Sequence, residues 1–294
     1  MRTVKGENHG VQKNTIPSCS MRLPEYKDFF VKKINSFSDN RPLIDPKRMK
    51  GEPLLGQDAI MIAIPSELKS MVDLSQAERT PLRMLSPFKL FTIKREEDFP
   101  LALVGPLLGA PQAVIVMEKL IALGAKRIWV LGWCGSLQPH LRIGDLIIPT
   151  HALSEEGTSA HYPVDKEICE TSFFLNTALE AALSKAALPF KRGPVWTTDA
   201  IYRETERKVI AYGKKGYLAV EMEMSALIRL AAYRSVELAG LLVVSDELFS
   251  LKWHSAFKID RLKKRSKAAG RLILNLCLNG IPETSVGNTK DGTL

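Results

Sequence analysis

Apolar runs of strand length alternate with segments of helical period along most of this chain. Ala59-Ile-Met-Ile-Ala-Ile64 is continuously apolar and stopped by Pro65, the pattern of a strand covered on both faces. Leu101 to Val104 repeats it. Gly105-Pro-Leu-Leu-Gly-Ala-Pro111 then opens a helix, Gln112 to Leu123, closed by Gly124. Proline at a helix start and glycine past its end follow the usual capping asymmetry. Ile128 to Leu131 and Ile143 to Ile148 read as two short buried strands, joined by a loop that carries Gly132-Trp-Cys-Gly135 and closed by Pro149. Thr171 to Ala187 has helical periodicity. Gly193 to Tyr202 begins as a strand and ends in a turn. Tyr217 to Glu223 leads into a helix through about Ser235. Leu241 to Asp246 is a last inner strand, and a helix from about His254 to Leu278 ends at Asn279-Gly280. This alternation predicts a single α/β domain, with a mixed or mainly parallel sheet, flanking helices and a right-handed βαβ crossover.

The same pattern sets the boundaries. Residues 1–57 are polar and broken by Pro17, Pro24, Pro42 and Pro46; they read as an N-terminal extension, partly irregular, with one helix at about Glu25 to Phe37. Residues 58–280 form the domain. Residues 281–294 read as a disordered tail.

Composition narrows the picture. Over 294 residues, 45% are hydrophobic and 25% charged, ordinary for a globular chain with a sizeable core. No apolar run reaches the roughly 18 residues of a membrane span. The N-terminus, MRTVKGENHG, lacks the apolar core of a secretory signal, so a cytoplasmic setting without a membrane partner is expected. Cys19, Cys134, Cys169 and Cys277 show no CxxC spacing and suit free thiols in a reducing compartment. The five histidines are scattered, so no metal site is expected. The net charge of +9 raises the question of a nucleic-acid partner. Much of the excess lies in Lys47 to Lys50, Lys214-Lys215 and Lys258 to Arg271. The last has helical spacing and reads as a solvated face, and no nucleic-acid partner is expected.

Glycines directly after a buried strand let backbone N–H groups approach a ligand without Cβ obstruction; the same glycines also suit a plain tight turn. The stretch from Arg127 to Thr150 resembles the nucleoside phosphorylase superfamily, the branch that holds uridine phosphorylase, hexameric purine nucleoside phosphorylase and related nucleosidases. The likeness rests on Leu137-Gln-Pro-His140, Ile143-Gly-Asp145, Glu156-Gly-Thr-Ser159 with His161, and three further motifs downstream in the family's order. It covers about residues 58–280. It implies an α/β fold with a central, mixed, distorted barrel-like sheet. It also implies an enzyme of the pentosyltransferase class that cleaves the N-glycosidic bond of a nucleoside, with inorganic phosphate as co-substrate and no other cofactor. A homo-oligomer built from dimers, as in the family's hexamers, goes with it.

By resemblance, Glu223 in Val220-Glu-Met-Glu-Met224 holds the ribose hydroxyls, with Met222 under the sugar and Glu221 in support. A carboxylate suits two vicinal hydroxyls because it accepts from both. Acidic residues at a helix start also suit the helix dipole, which is the alternative reading of the pair. Asp246, at the end of an apolar strand, matches the purine-cleaving members, where it acts as general acid toward the departing base. Cys134, Gly135, Ile201, Tyr202 and Arg207 fall at base-binding positions. Asp246 speaks for a purine and Arg207 for uracil, so a purine is favoured and uridine stays possible.

The phosphate positions depart from the family. Its phosphate loop is replaced by Pro65-Ser-Glu-Leu-Lys69, its central-strand arginine by Val130 and its hydroxyl by Trp133. Lys69, Lys89 and backbone groups around Gly132 and Trp133 remain as phosphate ligands, Lys89 from a neighbouring subunit. A lysine supplies charge without the planar fork of arginine. Trp133 reads as a core residue, as a wall across the anion pocket or as a stacking surface. Two alternatives to phosphorolysis therefore stay open: a nucleosidase that uses water, and a nucleoside-binding protein with reduced catalysis.

Overall fold

The computed structural model describes residues 42–82, 88–95, 99–257 and 259–281. The helix expected at Glu25 to Phe37, Cys19 and the tail after Pro282 lie outside them.

Among the described residues, ten strands form one mixed sheet: β1 (Asp58–Ile62), β2 (Glu78–Thr80), β3 (Lys89–Ile93), β4 (Leu101–Gly105), β5 (Arg127–Ser136), β6 (Leu146–Glu155), β7 (Phe190–Thr198), β8 (Ala219–Glu221), β9 (Glu237–Glu247) and β10 (His254–Ser255). Their order is β10-β9-β6-β7-β8-β5-β1-β4-β3-β2, and β9 also pairs with β5. That pairing closes β5, β9, β6, β7 and β8 into a five-stranded barrel, with β1 to β4 continuing as an open wing. The β1–β4, β1–β5, β5–β9, β6–β7 and β7–β8 pairs are parallel; β5–β8, β6–β9, β3–β4, β2–β3 and β9–β10 are antiparallel.

Six α-helices among the described residues cover the faces: α1 (Pro65–Ser75), α2 (Ala110–Ala122), α3 (Phe173–Lys185), α4 (Glu206–Lys214), α5 (Met224–Arg234) and α6 (Asp260–Asn279). Strand alternation feeds two cores. Ala59, Met61, Ile128 and Val130 pack on one face against α2 and α5, through Val114, Met117, Leu227 and Leu230. Ile60, Ile62, Trp129 and Leu131 pack on the other against α1, α3 and α6, through Leu68, Leu179 and Ile273. Both faces of β1 are buried, which is why it is apolar from Ala59 to Ile62.

Three expectations are corrected. The glycines of the central stretch do not form a loop: β5 runs unbroken from Arg127 to Ser136, with one register shift against β9 between Cys134 and Gly135. β9 pairs with that backbone along its whole length, and on the other side β1 pairs as far as Leu131 and β8 takes over at Gly135, so the stretch stays strand where the sequence alone signals a break. Pro65 to Lys69 is not a loop but the start of α1, with Pro65 in its first turn, where a missing N–H costs nothing. The last helix begins at Asp260, not near His254, because His254 and Ser255 pair with Glu247 and Asp246 as β10.

Candidate active site

The bulged end of β5, the end of β9, β8 and the turn Ile201–Arg203 surround a cavity of about 580 Å³. Trp133, Cys134, Gly135, Ile201, Tyr202, Glu221, Met222, Glu223 and Asp246 all line it. The fold thus gathers nine of the residues singled out in the sequence from four separate segments. Tyr202 stands at the mouth, 97% exposed.

Glu223 is placed by two backbone features. It is the N-cap of α5, and its Oε1 accepts the Gly109 N–H at 2.6 Å. Gly109 has φ of +82° just ahead of α2, a conformation that suits glycine and frees its N–H from the helix. Glu221 is buried at the end of β8. It accepts the N–H groups of Glu223 and Met224, each at 2.7 Å, and the Thr197 hydroxyl. It therefore satisfies N–H groups at the start of α5 from a buried position, not from solvent. A polar chain continues behind it: the Ser225 N–H donates to Thr197, and the Ser225 hydroxyl donates to Glu156 at 2.9 Å. Burial raises the Glu223 carboxyl to about 8, with the neighbouring Glu221 charge pushing the same way and the Gly109 N–H opposing. Burial likewise raises Glu221 to about 7 against its three hydrogen-bond donors.

Asp246 sits at the end of β9. Its Oδ1 accepts the Ser245 hydroxyl at 2.6 Å and its Oδ2 the Trp253 indole N–H at 3.0 Å. Burial raises its pKa, and the two donors hold it back. Gly135 makes room for the carboxylate: a Cβ there would lie 2.9 Å from Asp246 Oδ2. Burial, with the charges of Asp246 and Glu221, pushes the Cys134 thiol up, so it stays protonated and unreactive.

The remaining predicted residues lie elsewhere. Arg207 is exposed on α4 and does not line the cavity, because the helix turns it to solvent. Lys69 is exposed on α1 and pairs with Asp73 one turn on, at 2.6 Å. Lys89 opens β3 beside a separate cavity of about 390 Å³. Gly132 is buried in β5, packed toward Leu242, and Val130 is a core residue. The Trp133 ring is held on two sides: its N–H donates to the buried Ser266 hydroxyl at 2.8 Å, and it stacks on Phe257 at 5.7 Å and 14°. Among the described residues, four carboxylates line the cavity and no lysine, arginine or histidine does.

Sequence reasoning missed Glu204, Ser245, Trp253, Phe257 and the Gly109 donor. Glu204 lines the cavity, and burial with the Asp246 charge raises it to about 7. It sits in the charged run Arg203 to Lys208, which reads as surface. Trp253 and Phe257 fall where a helix start was expected. Isolated aromatics in that polar stretch were the available signal.

Residues 57–277 match the family described as the phosphorylase superfamily. Among curated relatives, a guanosine phosphorylase of Halorubrum lacusprofundi is 27% identical over 174 residues, which cover 59% of this chain and 72% of that protein. A DeoD-type purine nucleoside phosphorylase of Mycoplasma genitalium is 36% identical over 151 residues, covering 50% of this chain and 61% of that one. The chain thus spans a little under two thirds of the length of that purine relative. Among solved structures, uridine phosphorylase of Vibrio fischeri superposes with a TM-score of 0.68 at 22% identity, covering 77% of this chain and 93% of that one. Purine nucleoside phosphorylase of Toxoplasma gondii, in complex with immucillin-H, gives 0.69 at 22% identity, with 82% and 98% covered. Both share the barrel-centred α/β fold.

Proposed function

The chain belongs to the phosphorylase superfamily, and on that premise we propose that it cleaves the N-glycosidic bond of a purine nucleoside. One observation carries this reading: Asp246, a carboxyl with a raised pKa, shares one cavity with Glu223, whose Oε1 is anchored on a backbone N–H. Glu223 accepts from the ribose hydroxyls, with Met222 beside the sugar. As the C1′–N bond breaks, its electron pair moves onto the base. Asp246 gives its proton to a ring nitrogen there, and positive charge develops on the ribose. The nearby carboxylates suit that charge. A nucleoside panel assayed by product analysis tests the reading. Release of free purine base supports it; release from uridine alone would move base recognition to another residue.

The acceptor has two readings. Relatives named phosphorylases speak for phosphate. The wall of the cavity speaks for water, since it holds carboxylates and no cation, Val130 is in the core and the Trp133 ring is held at the third altered position. An anion finds no bidentate partner among the described residues of such a site. Running the panel with and without phosphate separates them: ribose 1-phosphate marks phosphorolysis and free ribose marks hydrolysis. Nucleoside binding without turnover would leave a binding protein.

Lys89 reaches a nucleoside site only across a subunit contact, since in its own chain it lies away from the cavity. That role calls for a dimer-based homo-oligomer, which light scattering at micromolar concentration tests.

A further inference from the structure

Trp253 is 62% exposed, yet its indole N–H is spent on the carboxylate at the heart of the cavity. Packing does not explain a ring left largely in solvent. Its position comes instead from β10, whose residues His254 and Ser255 pair with Glu247 and Asp246 and so bring residue 253 back beside the strand end that carries Asp246. The ring then meets Phe257 at 6.0 Å, and Phe257 stacks on Trp133, itself tied to Ser266. The result is a continuous aromatic wall from the core to the Asp246 carboxylate.

Resting on the proposed N-glycosidic cleavage, we propose that Trp253 is the positioning residue of Asp246: its indole N–H fixes Oδ2 and stabilises the carboxylate left behind when the proton passes to the base. An indole can donate but never accept. The bond therefore strengthens on ionisation, whereas the Ser245 hydroxyl can rotate and either donate or accept. A charge-assisted bond of this kind favours the ionised form and makes Asp246 a stronger acid. Among the described residues, the titratable groups that feel the Asp246 charge are Glu204 on the adjoining turn and Cys134 on β5. Both are held up by burial and by that charge.

The test is Trp253→Phe, which keeps an aromatic ring in the wall and removes the N–H. Site-resolved carbon NMR of the Asp246 carboxyl, in the substrate-free protein, should show its titration midpoint moving up by about one pH unit. In turnover, kcat should fall about tenfold with KM within about threefold, and the alkaline limb of the kcat profile should move up with the midpoint. In an Asp246→Asn background, Trp253→Phe should add no further loss in kcat. An unchanged midpoint overturns the proposal, whatever the activity. A shifted midpoint in Trp253→Phe, with a wild-type protein that turns over no nucleoside, overturns the N-glycosidic reading and leaves the Trp253–Asp246 relation standing. A loss of kcat that is additive with Asp246→Asn assigns Trp253 a merely structural role and also overturns the proposal.

Discussion

Gly135 lies directly under the Asp246 carboxylate: a Cβ built on it would stand 2.9 Å from Oδ2, 3.0 Å from Leu248 Cδ1 and 3.3 Å from Val220 Cγ1. The φ of Gly135 is not in the left-handed region, so glycine is required there for space, not for backbone freedom. Two of the three contacts are side chains set in the wall, and the third is the acid itself. Gly135→Ala should cost about 1–3 kcal/mol through overpacking and should displace Asp246. Denaturant unfolding alongside kcat checks this. Stability loss with full activity would show that the carboxylate has room to move.

Asp246→Asn keeps the size of the side chain and removes the acid. Purine nucleoside cleavage should fall by about 10²–10⁴-fold, while folding, read by thermal unfolding, changes little. If uridine is cleaved well and Asp246→Asn leaves that rate intact, the purine assignment is wrong.

Glu223→Ala removes the acceptor aimed at the ribose. Each hydrogen bond lost leaves a polar group unpaired at a cost of about 1–3 kcal/mol, so nucleoside affinity by calorimetry should drop sharply and turnover should vanish. Wild-type affinity in the variant would take Glu223 out of the site. Its Oε1 also holds Gly109, so a shift in the start of α2 is expected as well.

Glu223 and Glu221 make stability depend on pH in the direction opposite to most carboxylates. Their folded pKa values, about 8 and about 7, lie above the ordinary glutamate value near 4.5. Between those limits the folded state binds more protons than the unfolded one. Stability from this pair is therefore fully present below pH 4.5 and is lost as pH rises through 7 to 8, by up to about 1.4 kcal/mol per pH unit for each extra proton. Thermal unfolding at pH 6 and pH 8.5 should show the wild type losing stability at the higher pH. Glu223→Gln should flatten the slope. An equal slope in the variant would assign the dependence elsewhere, Glu204 at about 7 being the next group.

The sequence by itself determined the class of the fold and nine of the residues that line the cavity. A strand buried on both faces must be apolar at every position, so Ala59 to Ile64 and Leu101 to Val104 declare themselves without any partner in view. Local capping chemistry likewise bounded α2 and the end of α6. Motif order placed Glu223, Met222 and Asp246 in one site, and the fold brings them there.

What only the tertiary structure decided was everything that depends on a distant neighbour. Whether Gly132 to Gly135 bends into a loop or continues as strand is decided by distant segments: β9, whose Leu242 to Asp246 pair with it, and β8, whose Val220 pairs with Gly135. Barrel closure by β5 and β9 has no local signature, because a strand's sequence does not say which strand it pairs with. Arg207 and Glu204 stand in one charged run, and only the exit of the chain into α4 sends the first to solvent and the second to the cavity. Trp253 acquires its role because β10 folds back on β9, a contact of two residue pairs that no periodicity in the sequence announces.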